Sequence, residues 1–283
     1  MNRSVLGKTL HDLRWQIFGY GMGLALMAAL VVWIYPSYRE QLAGFEVPEA
    51  LQGLTGSLDY STPAGFLSVE FVSWVPIITL IFAIMAGTSA LAGEEANGTL
   101  DLVLSQPISR RRLAVTKIAG IAIATIALAA LAALGWFISV PFVDIEIDLG
   151  DLVVVTMNLV PITLTFAFLA TWLGAALSDR RSATAAVTGF AVVSYFVNYL
   201  ARIVDVMEPL AWASPFNYYD TDALTSGLDI WRTVVLLALA AAFALATIVA
   251  FEKREIGVRA NGGWLRGVFG LLRRHPAEET EAP

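Results

Sequence analysis

Six uncharged apolar runs constrain this chain more than any other feature of its sequence. They are Trp15–Tyr35, Phe71–Gly93, Ile118–Val140, Leu152–Leu177, Ala183–Val204 and Thr233–Phe251, and the only charge in them is Arg202, near one end. A hydrocarbon core roughly 30 Å thick is crossed by about 20 such residues in a helix. Lipid offers the backbone no hydrogen bonds, so runs of this kind must be helices that satisfy their own N–H and C=O groups. Of the 283 residues, 57% are hydrophobic and 15% charged, where an ordinary soluble domain has about 25% charged. The expected fold is all-α and polytopic, with six transmembrane helices across residues 15–251. A soluble protein with six fully buried helices fits this pattern poorly.

The basic residues give the orientation. Arg3, Lys8 and Arg14 precede the first run as in a secretory leader, but the run is too long and Val31-Val32-Trp33 offers no small-residue cleavage site. It reads as a retained first span. With both termini in the cytoplasm, 15 of the 18 Lys and Arg lie inside, and only Arg39, Arg202 and Arg232 lie outside. That asymmetry follows the positive-inside rule. The net charge of −6 comes mainly from the external loops, which argues against nucleic acid as a partner. The setting expected is the plasma or inner membrane of a prokaryote. The chain has no cysteine, so disulfides and thiolate metal sites are excluded.

Beyond the spans, Leu6, Leu10, Leu13 and Ile17 share one helical face with Lys8 and Arg14 off it. Residues 1–14 therefore read as a cytoplasmic amphipathic helix on the inner leaflet, ahead of the first span. The loop 36–70, with Pro36, Pro48 and Pro63, is too short for a folded ectodomain. After the sixth span, residues 252–283 read as a cytoplasmic amphipathic tail, in which Trp264, Leu265, Val268, Phe269 and Leu272 share a face. The acidic, proline-containing end at 276–283 is expected to be disordered.

The uncharged runs also exclude chemistry. Ion-coupled transporters place titratable or ion-binding groups within the membrane, and none of the six runs has an acid or a histidine. The histidines, His11 and His275, sit beyond them. No catalytic, cofactor-binding or metal site is assigned. Ser73, Ser89, Ser139 and Ser194 have no base partner and read as hydrogen-bonding to neighbouring helices. Gly7-Lys8-Thr9 ends like a phosphate loop, but Asn2 stands where the earlier glycine belongs. The acidic stretch Asp144, Glu146, Asp148, Asp151 reads as a solvated loop, because apolar residues interrupt it and the turn glycine is missing. Gly19 and Gly23 make a G-x-x-x-G pattern that suits close packing, within one subunit or between two. Energy for uphill movement would have to come from another polypeptide.

The most specific stretch runs from Glu94 to Lys117. Asn97-Gly98 breaks the emerging helix. Thr99 can cap a short new one, with Asp101 in its first turn and Leu100, Val103 and Leu104 on an apolar face. Pro107 ends that element. Ser109 can cap the next helix, which begins with Arg110, Arg111 and Arg112. Physics alone allows a short cytoplasmic surface helix or a plain positively charged loop.

The order Glu-Glu-x-x-Gly-Thr-Leu-x-x-x-Leu-x-x-Pro-x-Ser-Arg, ending at Lys117, resembles the cytoplasmic signature of ABC-2 type ABC transporter permeases. Thr62-Pro63-Ala64-Gly65-Phe66-Leu67 upstream and Ser214-Pro215-Phe216-Asn217-Tyr218-Tyr219 downstream extend the resemblance. It implies a non-catalytic membrane subunit of an exporter, with segment 94–117 containing a coupling helix that docks on a separate ATPase. Glu94, Glu95, Gly98, Thr99, Leu100, Leu104, Pro107 and Arg110 are then the ATPase-facing or hinge-forming candidates. Two ATPase copies would bind ATP and magnesium, and two permease subunits, identical or similar, would pair in the lipid. The competing reading is a non-transporting anchor or assembly scaffold for an extracytoplasmic system. A channel or secondary transporter is weakened by the uncharged spans, and copper handling by the lack of cysteine. Asn158, Thr163, Thr165 and Asn198 are the scattered polar groups of a mostly apolar lining, which suits an amphipathic or lipid-like cargo.

Overall fold

A computed structural model describes residues 3–42, 62–96, 108–177 and 179–253. They are mostly helical, with no strand among the described residues. Six helical stretches are long and apolar enough to cross a membrane: Val5–Arg39, Pro63–Ala96, Arg110–Phe142, Leu149–Leu177, Arg180–Ala201 and Ile230–Lys253. Each holds one of the expected runs, apart from the last residues of the fifth. The protein is an all-α polytopic membrane protein. The expected tail at 252–283 lies, from 254 onward, outside the described residues.

The helices run past the uncharged stretches. Helix α1, Arg3–Leu42, is one continuous helix of 40 residues. Nothing between residues 4 and 20 breaks it: proline is absent and Gly7 and Gly19 are isolated, so the segment read as an interface helix is continuous with the first span. At about 1.5 Å per residue α1 measures about 60 Å, twice the hydrocarbon thickness. The second span starts eight residues before Phe71, at the short helix α2 (Pro63–Leu67), where the Thr62 hydroxyl accepts the Gly65 N–H at 3.1 Å. These extensions bring Glu70, Glu94, Lys117 and Asp151 into helical ends.

After α2 comes a wide π-type turn at Ser68–Val72, then α3 (Val75–Thr88), a second π-type turn at Ser89–Gly93 and a last turn α4 (Glu94–Ala96). The third span is α5 (Arg110–Ser139), begun by Ser109, whose hydroxyl accepts the Arg112 N–H at 3.3 Å as the sequence suggests. The fourth span is split at Asn158 into α6 (Leu149–Met157) and α7 (Leu159–Leu177). Helix α8 (Arg180–Ala201) is the fifth span. Short helices α9 (Glu208–Ala211) and α10 (Ala223–Ser226) lead to α11 (Ile230–Lys253), the sixth.

Small residues set the packing. A Cβ on Gly135 of α5 would lie 2.2 Å from the Ala25 carbonyl of α1, and one on Gly120 would lie 2.7 Å from the Thr9 methyl. The order of these contacts makes the first and third spans parallel. Gly87 of α3 likewise meets the Ala167 carbonyl of α7 at 2.3 Å, and Gly174 meets Ala92, so the second and fourth spans are parallel. Without a hydrophobic force between helices in lipid, such backbone approach gains dispersion contacts that larger side chains would block. A Cβ on Gly19 or Gly23, the pattern picked from the sequence, would meet nothing within 4 Å among the described residues outside its own helix backbone. Within the subunit, the packing glycines are others.

The fourth span is the centre of the bundle, with 78% of its most apolar stretch buried against 22% for the fifth and sixth. Its neighbour Trp136 is enclosed, donating to the Thr156 hydroxyl at 2.8 Å and standing edge-on to Phe71. The threonines and serines of the spans mostly bond a carbonyl of their own helix: Ser73 to Ser68, Ser89 to Ala86 and Ser139 to Gly135. The expectation of bonds to neighbouring helices fails for these three, because the carbonyl three to five residues back is always within reach. Between α5 and α6 the chain alternates. Val143, Ile145, Ile147 and Leu149 pack on the core while Asp144, Glu146 and Asp148 are exposed.

Candidate functional site

One end of the bundle gathers the start of α1, the end of the second span and the start of α5. Glu94, placed by the π-type turn at Ser89–Gly93, points inward rather than out. Its Oε1 accepts from the Lys117 Nζ at 2.7 Å and the Lys8 Nζ at 3.0 Å, so one carboxylate ties three helices. The Lys117 side chain is 4% exposed and that of Glu94 10%, while Lys8 is 43% exposed. Lys117 and Glu94 thus form the desolvated pair, and Lys8 adds a weaker, partly screened contact. The pair survives burial because each ion supplies the other's missing hydration. A π-type turn inserts one residue and so re-aims whatever follows it, a device common at functional sites.

A cavity of about 420 Å³ lies beside this tie, reached by Lys8, Asp12, Gln16, Ser89, Glu94, Lys117 and Arg180. The Gln16 Oε1 is buried there without a hydrogen-bond partner among the described residues. Next to Arg180 of its lining, Asp179 caps α8 and accepts both the N–H and the hydroxyl of Ser182, at 2.8 and 2.7 Å. The Ser182 side-chain bond, then its backbone bond, hold the Asp179 carboxyl below the usual range.

Of the residues singled out from the sequence, Glu94 is buried, and Glu95 and Arg110 are half-buried on either side of segment 97–107. Gly98, Thr99, Leu100, Leu104 and Pro107 lie outside the described residues. Lys8 and Lys117, the partners of Glu94, were not assigned to the site from sequence. The signal was present, since a lone lysine near the end of a signature that opens with two glutamates invites pairing. Among the described residues, no three histidines or carboxylates gather as a metal site would require.

The opposite end is closed by the segment Ser214–Tyr219. The Ser214 hydroxyl donates to the Ser194 carbonyl of α8 at 2.9 Å. Phe216 packs between Phe166 of α7 and Tyr195 of α8. Tyr219, buried, donates to the Val72 carbonyl at 3.0 Å. Burial, and then the charge of Asp220, push its hydroxyl pKa strongly upward, so it remains a donor. The Asp220 carbonyl accepts the Asn158 amide at 3.0 Å, and its carboxylate accepts the N–H groups of Asp222 and Asp229. Asn158, Thr163 and Thr165 are therefore buried packing groups bonded within this chain, not a lining.

Residues 3–252 match the family described as "Multidrug efflux system permease Rv1217c, C-terminal domain". The chain belongs to this family. It is a membrane permease of an exporter, held in the cell membrane by several spans. No curated protein sequence matches it.

Proposed function

We propose that the chain is the non-catalytic membrane subunit of an ATP-driven, ABC-2 type multidrug exporter, powered by a separate ATPase. The observation that supports this most is the Glu94 tie. A buried carboxylate held by lysines of two other helices sits at the entrance of segment 97–107, so a push on that segment reaches α1 and α5 through an ionic joint. In this reading Glu94, Glu95, Gly98, Thr99, Pro107 and Arg110 form the hinge side, and Leu100 and Leu104 the docking face. The end bearing the tie is cytoplasmic by the distribution of Lys and Arg. Two ATPases with ATP and magnesium would close together, move two such segments and shift a permease pair between inward-facing and outward-facing states.

The test is reconstitution. Permease with its co-purified ATPase should extrude a fluorescent drug from vesicles when ATP is added, and the permease alone should neither extrude it nor hydrolyse ATP. Turnover of ATP by the chain alone, with contaminating ATPases excluded, would refute the assignment. Full stability and function with no ATPase bound would favour the scaffold reading.

A further inference from the structure

At the end opposite the Glu94 tie, a second cavity of about 310 Å³ opens between the second span, the last turns of α8 and the Ser214–Tyr219 segment. Its walls are aromatic, with Trp74, Tyr195, Tyr199 and Phe216 around it, and its polar groups include Asn198 and Arg202 as well as Ser73 and Thr221. Phe216 is buried and fixed by its ring contacts with Phe166 and Tyr195, so the floor is rigid. Trp74 and Tyr199 stand at the mouth, 54% and 38% exposed. Among the described residues, the side-chain polar atoms of Tyr195, Asn198, Tyr199 and Arg202 have no hydrogen-bond or ion-pair partner. Asp220, between Tyr219 and Thr221 of the lining, is already engaged by two backbone N–H groups and Arg232. An uncommitted guanidinium and three further polar groups around a ring-lined space are the usual makings of a small-molecule site.

Resting on the exporter reading, we infer that this cavity is a cargo subsite selective for small aromatic organic anions. The Arg202 guanidinium is a cation whose planar fork matches the paired oxygens of a carboxylate or sulfonate. The tyrosine and tryptophan rings supply flat surfaces for one or two aromatic rings. The volume is near the lower limit of ligand pockets, about 300 Å³, which restricts the cargo to that size. Asp144, Glu146 and Asp148 are exposed between the third and fourth spans, at this same end, where repulsion favours release of an anion over its retention.

Equilibrium dialysis of the full chain in phosphatidylcholine nanodiscs tests this, with naphthalene-2-sulfonate as probe and naphthalene-2-sulfonamide as its neutral match. The sulfonate should occupy one saturable site per chain, at least tenfold tighter than the sulfonamide. Arg202→Gln should bring the sulfonate down to the level of the sulfonamide, and Tyr199→Ala should weaken both. Unaltered melting temperatures would certify that these variants are folded; should Arg202→Gln melt early, Arg202→Lys serves instead, keeping the charge but losing the fork, with a loss of severalfold. Absence of saturable binding, or sulfonate affinity indifferent to Arg202, would overturn the proposal. So would a tenfold loss on adding soluble glycerophosphoglycerol at constant ionic strength, since the site would then prefer a phospholipid headgroup. ATP-driven export by the wild-type assembly is scored separately. If it fails while the sulfonate binds as expected, the exporter reading falls and the site stands.

Discussion

Tyr219 donates its hydroxyl to the carbonyl of Val72, 147 residues earlier in the chain. In a regular helix that carbonyl would accept from the residue four ahead, which is Pro76 and has no N–H. The π-type turn and the proline together leave a carbonyl to be satisfied, and a distant tyrosine satisfies it. Tyr219→Phe removes only the oxygen. It should cost about 1–3 kcal/mol by leaving Val72 without its donor, read as a lower melting temperature in detergent. The pH dependence has a definite sign. A raised folded-state pKa means that stability is fully present below the ordinary tyrosine value of about 10 and declines above it. Wild-type protein should therefore lose stability from about pH 10 upward by an increment that Tyr219→Phe lacks.

The Glu94 tie predicts non-additivity. Glu94→Met leaves Lys117 charged and buried, and breaking such a pair costs about 3–5 kcal/mol. Lys117→Met should be comparably harmful on its own. The double variant Glu94→Met with Lys117→Met should recover much of the melting temperature while export remains impaired, because the joint is gone although the burial is repaired. Additive losses in this cycle would show that the two side chains are not energetically coupled.

Helix packing gives a paired comparison. Gly135→Ala pushes a methyl into the Ala25 backbone, where overpacking costs about 1–3 kcal/mol. Gly19→Ala meets nothing within 4 Å and should leave the melting temperature of the isolated subunit unchanged or slightly higher. Equal destabilisation by both would contradict the parallel packing of the first and third spans.

The spans were legible because an uncharged run of such length has one physical solution in lipid. Their ends were not. Helices continue past the hydrocarbon wherever no proline or glycine stops them, and charge composition cannot mark that point, as α1 and the early start at Thr62 show. The N-cap at Ser109 was legible because capping is local. The roles of Lys8, Tyr219 and Asn158 were not, since each bonds to a group 62 or more residues away. The Ser214–Tyr219 motif was recognised only as a resemblance. Its chemistry becomes readable once Ser194, Phe166 and Val72 stand beside it.

Orientation can be checked by labelling. Cysteines introduced singly at Ser57 and Asp148 should react with an impermeant maleimide in intact cells, and one at Ser182, at the start of α8, only after permeabilisation. The opposite pattern would invert the assignment of the basic end to the cytoplasm.

The last prediction concerns coupling. Leu100 and Leu104 are four residues apart and share a face of any helix formed by 99–106. If that face enters an ATPase groove, aspartate at either position places a charge in a desolvated contact, at a cost of several kcal/mol. The spans and the Glu94 tie lie outside the substitution, so insertion and melting temperature should be preserved. Leu100→Asp and Leu104→Asp should therefore insert normally yet fail to retain the ATPase on affinity purification, with drug export lost in parallel. Val103→Ala, a milder truncation, should keep partial export. Gly98→Val probes the hinge separately, by penalising backbone conformations that glycine tolerates, and should reduce export more than ATPase retention. Wild-type ATPase recovery with both aspartate variants would remove segment 97–107 as the docking element, leaving the fold and the family unaffected.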